Sequence, residues 1–355
     1  AAQSAFNTEM SNVLAGLRSE ASQMAAEGKE LYETTGSAGF TGGSCWVNEL
    51  SVTSTYMTEE GLLSVVAENY TYYGGAHPNS VSRTWSFDLT TGEFLTLDAL
   101  SSEEGNINGD SLQTSIYQNI VSQIDSQGLS EAYFDDYDSY LSDFPAFATF
   151  YFTATGMTVA FDTYIIAPYA AGPQVFDVPY SVFYSALNER AKTLLEVPQE
   201  QIVLSDFDTA ATLWSWLFIT TPPTENTPDE MEINGYTYYQ ADIPGVSTMA
   251  ELRALMYRYF DKALADRWLE ETERYAEADG RLYVLSADRG SNDSIMDETC
   301  SVALDGESGT VTQTVTYGEW DEATQSRAAT GEETFAYPFT LVDGHAVFSA
   351  FPYPY

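Results

Sequence analysis

Near the start of the chain, apolar side chains recur at steps of three and four. Phe6, Met10, Val13, Leu14, Leu17 and Met24 form one stripe, which predicts an amphipathic helix ending near Gly28. After a Gly-rich loop at 36–43 the spacing changes to alternation. Strands are expected at 46–56, 62–73 and 81–89, with Thr90-Thr91-Gly92 turning the chain before Phe94. Leu112, Ile116, Ile120 and Ile124 restore the helical period up to Gly128, and an acidic loop is expected at 135–143. Strands at 147–153 and 157–164 then flank Thr155-Gly156 as a hairpin. The chain turns through 167–172, forms a short strand at 175–178 and enters a helix at Ser181 that buries Phe183, Leu187 and Leu194.

A second unit opens with the apolar stretch 210–219 and a Pro- and Thr-rich loop at 220–230. Thr248 and Glu251 have capping-box spacing and start a long helical region through Leu252, Leu255, Tyr259, Leu264 and Trp268. Beyond Asp279-Gly280 the period becomes strand-like, at 282–285, 300–304, 311–317, 335–341 and, after Asp343-Gly344, 346–351. Helices and antiparallel strands are segregated rather than alternating as βαβ units, so the expected class is α+β. With 355 residues, two domains are expected, 1–203 and 204–355, each with helices packed on an antiparallel sheet.

Charge narrows the function classes. Lys and Arg total 13 against 53 Asp and Glu, a formal charge of -40. Such a chain repels phosphate backbones and anionic lipid heads, which argues against nucleic-acid partners and selects cationic ones; acidity also serves solubility. The 44% apolar and 14% aromatic content argues against disorder. No apolar run approaches the ~18 residues of a membrane span. The sequence starts at Ala1 without Met or a hydrophobic leader, which suits a processed or trimmed secreted chain. Cys45 and Cys300 fit either a disulfide or two unrelated thiols.

Most catalytic signatures are absent. Gly43-Ser44-Cys45-Trp46 with His345-Ala346-Val347 reads like the nucleophile and histidine segments of papain-type proteases. However, Cys45 precedes a strand rather than a helix N-terminus, no glutamine lies just upstream, and no asparagine follows His345. No zinc helix, nucleophile elbow, phosphate loop or dinucleotide fingerprint occurs, and two histidines make a histidine-based metal site a poor reading. Asp288, Asn292 and Asp293 resemble part of a calcium loop without its central Gly and closing Glu, which reads as a solvated turn. A carboxylate pair for glycoside hydrolysis cannot be singled out among 53 acids. No cofactor or metal is expected.

The informative string is Tyr70-Thr71-Tyr72-Tyr73-Gly74-Gly75-Ala76-His77-Pro78-Asn79. Tyrosines beside a Gly-Gly turn make a rigid amphipathic contact surface, or else a packed strand end with His77 hydrogen-bonded in the turn. Together with the strings from Trp85 to Leu97, from Thr155 to Gly172 and from Val178 to Ser181, it resembles a secreted bacterial domain over residues 30–203. That domain occurs in lysozyme-binding anti-sigma factors and beside peptidoglycan deacetylase domains. The resemblance implies an α+β fold that binds outside the cell, and no active site. The contact surface is expected at Tyr70, Tyr72, Tyr73, Gly74, Gly75, His77, Pro78, Tyr164, Pro168 and Tyr169.

Residues 207–355 resemble secreted inhibitors of cell-wall DL-endopeptidases. The likeness rests on Asn234-Gly235-Tyr236-Thr237-Tyr238-Tyr239, Thr248 to Leu252, Asp279 to Val284, 287–291 and Asp343 to Ser349. It implies recognition by a protruding acidic or aromatic surface, with Asp288, Arg289 and Asn292 as candidates. Both resemblances imply an extracellular or cell-surface binding protein whose partner is a basic cell-wall hydrolase, either a lysozyme-like enzyme or an endopeptidase. The alternative is an accessory module for peptidoglycan glycans, or a carboxylate-based hydrolase.

Overall fold

The computed structural model describes residues 2–35, 47–72, 77–128, 132–225, 228–286, 288–290, 292–321 and 326–354. The fold is α+β with antiparallel sheets, divided into two compact units. Unit 1 comprises Ala1–Ser101, Leu112–Pro179 and Leu187–Val197; unit 2 comprises Ser102–Ser111, Tyr180–Ala186 and Pro198–Tyr355.

Unit 1 begins with α1 (Ala2–Thr35), which runs about two turns past the expected stop at Gly28. Gly28 is buried in it, and the exposed Lys29–Glu33 pair at i,i+4 supports the extra length. The strands β1 (Val47–Met57), β2 (Leu62–Tyr72), β3 (Asn79–Asp88) and β4 (Glu93–Phe94) form a meander. The short helix α2 (Leu97–Leu100) is capped by Thr96, and α3 (Leu112–Gln127) buries Leu112, Ile116, Ile120 and Ile124 as the spacing requires. The expected acidic loop at 135–143 is instead mostly helical, as α4 (Tyr137–Ser142) followed by α5 (Phe144–Phe147). Leu141 and Phe144 supply buried anchors that the acidic residues around them had masked.

A second sheet, β5 (Thr149–Phe152), β6 (Gly156–Phe161) and β7 (Gln174–Pro179), packs on the first. Neighbouring residues of β3 point to opposite faces. Phe87 meets Phe6 of α1 edge-on at 5.9 Å, whereas Ser86 bonds Ser64, whose hydroxyl accepts the Phe152 amide at 3.0 Å. The first sheet thus lies between α1 and the second sheet.

The helix expected from Ser181 is broken. α6 (Tyr180–Phe183) and a 3-10 turn at Tyr184–Ala186 belong to unit 2, and α7 (Glu189–Leu195) belongs to unit 1. Asn188 makes the break, capping Ala191 and donating to the Ala99 and Ser101 carbonyls.

In unit 2, α8 (Gln199–Phe218) starts eleven residues before the apolar stretch that predicted it, and residues 203 and 204 lie inside it. The hairpin β8 (Glu230–Ile233) and β9 (Tyr236–Gln240) turns on Asn234-Gly235, both at positive φ. The long helical region is two helices, α9 (Met249–Tyr259) and α10 (Lys262–Glu271), because Asp261 caps the second. β10 (Tyr275–Ala278) and β11 (Arg281–Leu285) complete a sheet in the order β10-β11-β9-β8. β12 (Ile295–Asp305), β13 (Ser308–Asp321), β14 (Ser326–Val342) and β15 (His345–Phe348) form the last sheet. One core, including Phe207, Trp216, Met256, Phe260, Trp268, Tyr337 and Phe348, joins α8, α9 and α10 to these strands.

Candidate functional site

The sequence-predicted residues fall into two groups. In unit 1, β6 ends at Phe161, and Asp162 turns the chain by accepting the Ser82 amide at 2.9 Å and, through its carbonyl, the Ile165 amide at 3.2 Å. Burial pushes the Asp162 carboxyl up, against the lowering effect of that amide. The turn holds Tyr164 at φ +71°, a conformation uncommon for a bulky side chain, with 58% of its surface exposed. Pro168 then leads into a 3-10 turn that presents Tyr169.

Tyr169 is the middle of three rings. Its face stacks on His77 at 3.9 Å with 26° between planes, and Tyr164 lies 5.5 Å away on a 32° tilt. The Pro78 carbonyl fixes the stack, accepting from the Tyr169 hydroxyl at 3.0 Å and lying 3.0 Å from His77 Nδ1. His77 is therefore hydrogen-bonded in its turn and is also exposed, which joins the two readings that the sequence left open. His77, Pro78, Tyr164 and Tyr169 are brought together, with Pro168 adjacent in the chain. Tyr70 and Tyr72 share the β2 face of Ser64 and lead toward His77, Tyr70 opposite Ser80. Tyr73, Gly74 and Gly75 lie outside the described residues, as does Cys45.

The second group belongs to unit 2. Asp288 accepts from the Thr221 hydroxyl at 2.7 Å, and the Arg289 amide donates to the Ile219 carbonyl at 3.0 Å. Both line a cavity of about 490 Å³ with Leu217, Phe218, Glu273 and Arg274. Arg274 is buried and donates to the carbonyls of Trp216, in the last turn of α8, and of Ile219 and Thr220 just beyond it; burial lowers its pKa. Asn292 is not part of that wall. Its side-chain oxygen accepts the Ser294 amide and hydroxyl, which makes it a turn residue.

Three features of unit 2 had no clear sequence signal. Asp206, on α8, is buried and lies 3.0 Å from His345 Nδ1 while accepting the Ala346 amide at 2.7 Å. Asp208, two residues on, keeps an exposed edge yet is ringed by protein, and that crowding, with Glu298 nearby, pushes its carboxyl up to about 7. Trp320 stands 63% exposed on the β13–β14 ribbon. Cys300 is a free, exposed thiol. Among the described residues no group of three or more His, Cys, Asp or Glu side chains is placed to hold a metal ion, and no helix is long and apolar enough to cross a membrane.

The class defined so far is a two-unit α+β chain with an exposed aromatic stack. Residues 107–181, which include Tyr164, Pro168 and Tyr169, match the family model described as a protein of unknown function, DUF3298, so the chain carries that domain there. A solved DUF3298 family protein from Pseudomonas aeruginosa PAO1 is 16% identical, with a TM-score of 0.30 over 41% of this chain and 64% of the other. The chain thus spans less than two thirds of that protein's length. A DUF3298 member from Bacteroides fragilis NCTC 9343 is 20% identical, with a TM-score of 0.35 over 53% of this chain and 70% of the other. No curated protein matches significantly.

Proposed function

We propose that the chain is a non-catalytic binding protein of the cell exterior that recognises basic cell-wall lytic enzymes, and that the His77–Tyr169–Tyr164 stack is its contact surface. The stack carries this reading. Tyr169 and His77, fixed by hydrogen bonds to the Pro78 carbonyl, and Tyr164 beside them lose little conformational freedom on binding and present a π face to solvent. On a chain of charge -40 the ligand suited to such a face is cationic, because Arg and Lys side chains stack on tyrosine and are drawn in by the negative field. The resemblance of residues 30–203 to the secreted domain of lysozyme-binding anti-sigma factors points to the same class of partner.

The test is titration of a basic lysozyme against the wild-type chain and the variants Tyr169→Ala and Tyr164→Ala. Each lost ring contact should weaken binding by about tenfold, in line with the ~1 kcal/mol or more of a stacked cation. Equal affinity in all three proteins contradicts the assignment of the surface. Binding of glycan strands that ignores salt and is lost with Tyr169 would support the accessory-module alternative instead.

A further inference from the structure

Four of the chain's 13 Lys and Arg residues, Arg253, Arg258, Lys262 and Arg267, fall between 253 and 267, where the acidic residues are Asp261 and Asp266. Both aspartates are already used. Asp266 is tied by Arg253 and by the Tyr257 hydroxyl, and Asp261 caps α10. Lys262 lies over the Tyr257 ring at 5.5 Å. The Tyr257 side of this patch opens into a cavity of about 290 Å³ lined by Tyr257, Arg258, Tyr259, Asp343, His345 and the valines Val342 and Val347.

Arg258 makes no ion pair among the described residues. His345 is aimed by its buried partner. Its Nδ1 is engaged by the Asp206 carboxylate, so Nε2 is the ring atom left for another partner. Asp206 is 4% exposed and also holds the Ala346 amide, so the imidazole orientation is set before any ligand arrives. The neighbouring Gly344 carbonyl accepts from Gln199, which pins the turn that carries Asp343 at φ +52°.

We propose that this cavity binds the zwitterionic end of an amino acid or short peptide, with its carboxylate on Arg258 and His345, its ammonium on Asp343, and its side chain against Tyr259, Val342 and Val347. A guanidinium, an imidazole and one carboxylate in the same wall complement a ligand bearing both charges. A dianion would meet Asp343 and the field of the whole chain. The volume is at the lower limit of small-molecule pockets, which fits a residue or two of peptide.

The experiment uses the full chain and follows the His345 ring signals by NMR during titration with the dipeptide Ala-Ala, with its amide, with its N-acetyl form and with inorganic phosphate. Ala-Ala should shift the His345 resonances in a saturable way. The amide, lacking the carboxylate, should bind about tenfold more weakly, as should Ala-Ala to Arg258→Ala, since each loses a charge-assisted hydrogen bond. Arg258 is exposed, so that variant should melt like wild type. Asp343→Asn should weaken Ala-Ala and leave the N-acetyl form unchanged. No saturable shift with Ala-Ala, or phosphate binding as well as Ala-Ala, overturns the proposal. Neither outcome bears on lysozyme binding, which is read separately in unit 1.

Discussion

The clearest single-residue consequence concerns Asp208. Because the fold raises its carboxyl from the ordinary aspartate range to about 7, the native state holds its proton more tightly than the unfolded chain across that window. Stability therefore falls as pH rises through that window. Asp208→Asn should raise the melting temperature at pH 8 and leave it nearly unchanged at pH 4; an equal effect at both would show that crowding at Asp208 does not disfavour the charge. Tyr337 makes a different case. It is fully buried, and its hydroxyl donates to Gln313 Oε1 at 2.5 Å, while Gln313 Nε2 donates to Glu298 at 3.0 Å. Tyr337→Phe removes one link of a buried polar chain and should cost about 1–2 kcal/mol in a urea titration.

Which elements form was largely legible, because most follow from apolar periodicity. The α3 stripe Leu112, Ile116, Ile120 and Ile124 is buried as its spacing requires, and the capping box at Thr248 and Glu251 forms with Glu251 accepting the Ser247 amide at 2.8 Å. Boundaries decided by single polar residues were not legible. Asn188 splits one expected helix and Asp261 another, since a cap competes with helix continuation and only the tertiary partner settles the contest. The Asn234-Gly235 hairpin had a local signal that the surrounding Pro- and Thr-rich loop obscured.

The site was legible in part for a related reason. The strings around His77 and Tyr169 stand out, but the turn at Asp162 that brings them together is 80 residues from its anchor at Ser82. The Asp206–His345 pair, 139 residues apart, has no sequence signature at all.

Gly156 links element to site, because β6 leads into the Asp162 turn. A Cβ there would come 2.1 Å from the Val178 carbonyl of β7. Gly156→Ala should cost about 1–3 kcal/mol through overpacking, readable as a lower denaturation midpoint. A midpoint like wild type would show that β6 and β7 do not approach so closely.

At the scale of the whole molecule the governing quantity is the charge of -40, which no short motif encodes. It acts over distances beyond any one contact, so its signature is kinetic: association with a basic partner should be fast at low ionic strength and slow as salt shortens the Debye length to roughly 10 Å near 0.1 M. The rings act at contact, so their removal should appear in the dissociation rate. The most direct test is stopped-flow association of a basic lysozyme with the chain across a salt series, for wild type and Tyr169→Ala. The account predicts an association rate that falls steeply with salt and equally in both proteins, and faster dissociation in the variant. An association rate indifferent to salt, or no complex at low salt, would contradict it.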